Sequence, residues 1–399
     1  MLTIRPFVVA TVATLVACLF LGARAYAGGV GVGLTKSPNR DVAIGETVTL
    51  TATLDDGAQG KQVQFAMNGQ PYASATTNSQ GKATTTYVPA AAGTANFVAS
   101  CQGYTNSAQV GVTAVAATVA VTSGTVGVGG SRLFTGTITV DGDPVMGLAC
   151  GGLAIANPNL ASAQWYGPSG STTDTAGRVY IWVTGSMAGG PTTLTVTGGG
   201  GSGQGNVTVA TPTISVSSGT VGVGGGRGFS ADLTAGGDPV VDLACGGPAL
   251  GNPNLASAEW YGPSAGTTDM MGRVYIWVTG SAAGGPTTLT VTGGGGSGQG
   301  NVTVQTPTIT VSSRTVSIAA GGESFSARAT AGGDGVIGLV CGGPIIGNPN
   351  LAEAAWVGGA TTDTGAYVVV WVTGLLQGET TLTVTGGGGS GQGAVTIVP

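Results

Sequence analysis

The chain is 399 residues long, and only 7% of them are charged, with 12 basic against 17 acidic residues and no histidine. The lack of histidine removes the commonest general base and metal ligand, and Lys36, Lys61 and Lys82, the only lysines, cannot form a nucleic-acid patch on the rest of the chain. Glycine occurs 77 times without a G-X-Y period, which excludes collagen, and 42% of the residues are apolar, which argues against disorder.

The chain opens on an expected export signal over residues 1–27. Arg5 precedes the apolar run Phe7–Gly22, and Ala25-Tyr26-Ala27 is a small-x-small cleavage site, so the exported protein is expected to begin at Gly28. Leu15-Val16-Ala17-Cys18 offers an alternative, lipid anchoring at Cys18, although Leu19-Phe20-Leu21 continues the apolar run past the cysteine. No later stretch is apolar enough to span a membrane as a helix.

From residue 28 to 115 the sequence alternates. Val48, Leu50 and Ala52 interleave with Thr47, Thr49 and Thr51, the period of a two-faced strand. Val63-Gln64-Phe65 and Thr76-Thr77-Asn78-Ser79-Gln80-Gly81 follow. Three closer repeats come next, with expected boundaries at 116–210, 211–305 and 306–399. Cys150, Cys245 and Cys341 mark them, as do Trp165, Trp260 and Trp356, and Gly189–Val209 is identical to Gly284–Val304. Within each repeat Val179, Ile181 and Val183 alternate with Tyr180, Trp182 and Thr184. Leu194 and Val196 form a second strand, and Val207 and Val209 a third. The glycine-rich run between the last two strands is predicted to be a hairpin connection. Thr211-Pro212 and Thr306-Pro307 are short joints that limit swivelling, so a stiff rod is expected.

Units of this length with turn signals every 8–12 residues fit an immunoglobulin-like sandwich. The opening strand Thr213–Ser217, the turn Gly142–Leu148, the TTD-x-x-G motif beginning at Thr172 and the closing hairpin together carry a resemblance to bacterial Ig-like domains of the invasin/intimin type. It implies an all-β chain of four tandem immunoglobulin-like domains, and surface roles such as stalks, adhesin arms and layer subunits. One departure is a Gly/Asn/Pro/Trp segment, Gly151–Ser169 and its copies, read as an insertion after the middle strand.

Candidate sites are few. After export the chain has one cysteine per domain, Cys101, Cys150, Cys245 and Cys341. An intradomain bridge is therefore excluded, leaving buried free thiols or cross-links between subunits. The resemblance implies a core position for Cys150. The cysteines lack the close spacing of a metal site. Asp143, Asp238 and Asp334 recur at one turn and Asp174, Asp269 and Asp363 at another; turn capping suffices to explain them, and calcium would need more oxygens. Gly198-x-Gly200-x-x-Gly203 precedes a strand, so it is not a dinucleotide fingerprint.

The aromatic residues remain. Trp165-Tyr166 and Trp260-Tyr261 lie in the apparent insertion, as does Trp356. Tyr180, Trp182, Tyr275, Trp277 and Trp371 lie on the outer face of a strand. Either the insertion folds over that face as a second small core, or the face stays open for a neighbouring copy or a sugar. A mean hydropathy of +0.34 and edge strands lacking lysine favour self-association. The expectation is an exported, non-enzymatic structural protein without cofactor or metal that assembles with copies of itself into a surface filament, fibre or layer. The alternative is an adhesin stalk or glycan-binding surface protein using the Trp-Tyr segments with Asn157 and Asn159.

Overall fold

The apolar–polar alternation is realised as strand: in the computed structural model, which describes residues 31–399, every regular element is a β-strand. The expected export signal and Cys18 lie outside the described residues. The described chain divides into two compact units. One holds the segments up to Arg40, Val48–Tyr87 and Thr94–Thr113; the other holds Asp41–Thr47, Val88–Gly93 and Ala114–Pro399.

The first immunoglobulin-like module contains β1 (Val32–Ser37), β2 (Val42–Ala43), β3 (Val48–Leu54), β4 (Gln62–Met67), β5 (Gln70–Thr76), β6 (Lys82–Tyr87), β7 (Gly93–Cys101) and β8 (Ala108–Val115). One sheet runs β1-β3-β6 and the other β2-β8-β7-β4-β5. Asn68 and Gly69 both have positive φ (51° and 81°) between the paired Met67 and Gln70. This two-residue turn matches strand twist and holds β5 beside β4.

The next module contains β9 (Thr118–Val121), β10 (Gly124–Gly127), β11 (Ser131–Val140), β12 (Asp143–Pro144), β13 (Cys150–Ile155), β14 (Ala161–Tyr166), β15 (Arg178–Gly185), β16 (Gly189–Gly198) and β17 (Gly201–Ala210). One sheet runs β9-β11-β15-β14, with the two-residue β12 also on β11; the other runs β10-β17-β16-β13. Residues 118–127 thus cross from one sheet to the other, where β10 pairs parallel with β17. In immunoglobulin lettering these sheets are A-B-E-D and A′-G-F-C. Repeats three and four reproduce both. The fold is all-β, four tandem immunoglobulin-like sandwiches. In the second module Phe134, Ile138, Val179, Ile181, Leu194, Val196 and Val207 are at most 1% exposed and fill the space between the sheets. Each large buried side chain contributes about 1.5–3 kcal/mol.

Two expectations are corrected. The segment Gly151–Ser169 is not an insertion. It supplies β13 and β14, the C and D strands themselves, one to each sheet. The fourth strand changes sheets relative to the first module, where β5 pairs with β4. The sequence of the connection accounts for this: Asn68-Gly69 closes a hairpin, whereas Pro158 in Ala156–Leu160 lacks an N–H and Asn157 Oδ1 instead caps the amide of Asn159 at 3.1 Å, carrying the chain across.

The glycine-rich run is likewise mostly strand. Only Gly199 and Gly200 form the turn, with φ of 63° and 75°. Gly201, Gly203 and Gly205 lie within β17 on its inward face, where a methyl group would collide with the carbonyl oxygens of Ala117, Val119 and Thr122. Alternate glycines thus let the backbone of one sheet lie directly on the other. The same approach recurs at Gly296, Gly298 and Gly300 and at Gly389, Gly391 and Gly393.

Candidate functional site

The outer face of the sheet carrying β11, β15 and β14 is built by register. Leu133 lies opposite Trp182, and Trp182 opposite Gln164; Thr135 lies opposite Tyr180, and Tyr180 opposite Tyr166. Tyr166 therefore reaches Trp182 diagonally, and the rings stack with centroids 5.0 Å apart and planes at 24°. In the third repeat Tyr261 and Trp277 adopt the same relation at 5.5 Å and 38°. The fourth has Trp371 and Val369 on this face, with Val357 in the place of the tyrosine.

Exposure separates these residues. Trp182 is covered (9% exposed), whereas Tyr166 is 46%, Tyr261 58%, Tyr275 37% and Trp371 42% exposed. Tyr180 is half-buried and donates its hydroxyl to Asp174 Oδ2 at 3.1 Å. Each of the three repeats thus presents at least one exposed aromatic ring on the same sheet.

The other tryptophans of the candidate set are placed differently. Trp165 pairs with Ile181 and shares its inward face, and Trp260 and Trp356 pair with Ile276 and Val370 in the same way. All three are half-buried against the cores of their modules. They belong to the core side of the strand; adjacent residues of one strand point to opposite faces, so Trp165-Tyr166 is divided between core and surface. Nor does this segment fold over the outer face: of its residues Tyr166 stacks on Trp182, whose ring also borders a pocket shared with Pro239, Val241 and Met270 of the next repeat. Asn157 and Asn159 precede β14 and Tyr166 ends it, so about six residues at ~3.3 Å each separate the amides from the exposed ring.

The sulfurs face inward. Cys101, Cys150 and Cys341 are buried and Cys245 is half-buried; all four are free thiols. Cys245 Sγ donates to the Leu243 carbonyl at 3.7 Å and Cys341 Sγ to the Leu339 carbonyl at 3.8 Å. Burial pushes the Cys150 and Cys245 thiols up to about 11 and raises Cys341 as well. A cross-link to another subunit would need a surface sulfur with thiolate character, which this environment disfavours.

Five of the six recurrent carboxylates are engaged within the chain, and Asp143 is exposed. Asp174 Oδ1 accepts from the amides of Ala176 (2.8 Å) and Arg178 (2.9 Å). The Arg178 amide, followed by other hydrogen bonds and against some desolvation, holds its pKa below the usual carboxylate value. Asp269 and Asp363 cap their turns equivalently. Asp238 and Asp334 pair with Arg132 and Arg227 of the preceding repeat.

The second threonine of each TTD motif holds a structural role that composition and alternation do not reveal. Thr173, Thr268 and Thr362 are 4%, 2% and 4% exposed. Their hydroxyls accept from the buried amides of Leu148, Leu243 and Leu339 at 2.8–2.9 Å. Recurrence of the motif, with Thr77 in the first module, was the available signal.

No family model matches the chain, and no curated protein is similar to it. Among solved structures it is similar to the Escherichia coli adhesin FdeC, at 13% identity over 71% of this chain and 97% of that one, with a TM-score of 0.25. Domains 4–9 of the surface layer protein SbsC are 16% identical over 92% of this chain and 66% of that one, with a TM-score of 0.28. Invasin, a bacterial integrin-binding protein, is 14% identical over 92% and 79%, with a TM-score of 0.22. The immunoglobulin-like assignment follows from the sheet topology above.

Proposed function

We propose that this is an exported structural protein whose immunoglobulin-like modules, over residues 28–115, 116–210, 211–305 and 306–399, self-assemble into a cell-surface filament, fibre or layer. The observation that carries the reading is the recurrence of exposed aromatic rings on one sheet face in three successive repeats. Each such ring removes roughly 150–250 Å² from water when covered. A second copy of the chain offers the same face, so contact can be isologous. The edge strands β13 and β14 leave main-chain groups unpaired on one side, and repeats two, three and four have no lysine to block pairing. The surface-layer and adhesin neighbours lie in the same sphere of function.

Light scattering and electron microscopy of residues 28–399 test it. The protein should associate with rising concentration, and Tyr166→Ser, Tyr261→Ser and Trp371→Ser together should weaken association by about tenfold or more. A chain that stays monomeric at high concentration overturns the proposal.

An adhesin or glycan-binding role is the second reading. A groove of about 410 Å³ is lined by Tyr261, Tyr275, Phe229 and Arg227 with Ser217, Ser218 and Ser230, combining ring faces with groups that meet hydroxyls. Glycan-array binding that is lost with Tyr261→Ser in a monomeric protein would favour it.

A further inference from the structure

Repeats two, three and four are joined by one contact used twice. The turn after the long B strand of each later repeat is a plug: Asp238-Pro239-Val240 in repeat three, Asp334-Gly335-Val336 in repeat four. It enters a socket on the preceding repeat. Val240 lies where a methyl group on Gly127 or Gly130 would be, and Val336 lies likewise over Gly222 and Gly225. The Ser131 amide donates to the Val241 carbonyl at 2.7 Å, and the Gly226 amide to the Ile337 carbonyl at 2.8 Å. Arg132 and Arg227 bridge each plug aspartate to the carbonyls of Thr125 and Thr220.

Repeat four has the corresponding surface with its chemistry changed at the strand glycine, the turn and the arginine. Ser317 stands where Gly127 and Gly222 stand. The turn Ile318–Gly322 is one residue longer, with Ala319 and Ala320 in place of glycines, and closes on itself through the Gly321 amide and the Ile318 carbonyl at 3.2 Å. Glu323 replaces the socket arginine. Its partner is Arg314, 2.8 Å away, at the position of Gly124 and Gly219. In the open sockets a side chain at that position would meet the arginine, since a methyl on Gly124 would lie 2.6 Å from Arg132 Nη1. The glycine–arginine pair has become an arginine–glutamate pair that closes within the repeat.

We infer that repeat four carries a closed socket. Its side chains fill the space a plug valine needs, and Glu323 repels a plug aspartate, so the repeat-to-repeat contact stops there. A further module of this chain, or the plug of a second copy, does not dock on this surface. Resting on the self-association proposed above, the consequence is that copies associate through their aromatic sheet faces and not plug into socket.

The test extends the full chain after Pro399 with a second copy of residues 306–399, whose own plug is intact. A second version also replaces residues 314–323 by the residues at 219–227, which opens the socket. Hydrogen exchange of the 317–325 segment is followed in dilute, monomeric protein, with and without the appended copy. With the native socket, appending the copy should leave exchange unchanged. With the opened socket, it should slow exchange tenfold or more. Slowing at the native socket, or its absence at an opened socket that is folded, overturns the inference. Should the exchange unfold repeat four, seen as lost protection at Val370 and Val384, the native-socket comparison decides alone. Self-association is not read by this measurement, so the two proposals fail separately.

Discussion

At the residue scale, the buried hydroxyl of Thr173 does what no apolar side chain of its size can. It accepts the amide of Leu148 in a region closed to water. Replacing Thr173 by Val keeps the volume and leaves that amide without its acceptor, at a cost of about 1–3 kcal/mol. Chemical denaturation should show this loss, and Thr172→Val, at the half-buried neighbour, should show much less. The buried thiols give a pH dependence. Cys150 and Cys245 titrate near 11 in the fold against an ordinary value of 9.0. The folded state therefore keeps protons that the unfolded chain releases, and this stabilisation is fully present below pH 9.0 and lost as pH rises towards 11. Thermal melting should fall across that window, and less steeply in a variant with Cys150, Cys245 and Cys341 all changed to Ala. The cysteine role was half legible: one per domain excluded an intradomain bridge, but only packing shows where the sulfurs point.

At the element scale, the last hairpin decides how closely the two sheets approach. Gly203 faces the Val119 carbonyl with no room for a methyl group, so Gly203→Ala forces the first strand outward. Overpacking of this kind costs about 1–3 kcal/mol. Gln204, exposed on the other face of β17, should accept Ala within about 0.5 kcal/mol. Paired denaturation curves check both. The period-two spacing G-S-G-Q-G was visible in the sequence as an alternation. It reads as turn material because glycine is the common residue of turns, and only the carbonyls on the facing strand show why glycine is needed at those positions. The C and D strands were hidden for a related reason: glycine, proline and asparagine around Cys150–Leu160 outweigh the short apolar alternations Leu153/Ile155 and Ala163/Trp165.

At the scale of the whole molecule, the junctions between repeats two, three and four combine packing with an ion pair, and the two differ in weight. The Arg132–Asp238 side chains are 27% and 43% exposed, and pairs this open contribute about 0–1 kcal/mol. Val240 is 1% exposed and sits against Gly127 and Gly130. Asp238→Asn should therefore change stability by less than about 1 kcal/mol, whereas Gly130→Ala should unseat the plug. Calorimetry is expected to show repeats two and three melting together in the parent protein and as separate transitions in this variant.

By itself the sequence determined the class of fold, the repeat period and the turn-capping role of the Asp174 family, because alternation, spacing and Asx chemistry are local and survive without knowledge of neighbours. Which face a ring occupies depends on strand pairing, and pairing depends on partners far along the chain. Only the tertiary structure could therefore turn Trp165 inward and Tyr166 outward, assign β14 to its sheet, and set Val240 into the glycines of the preceding repeat.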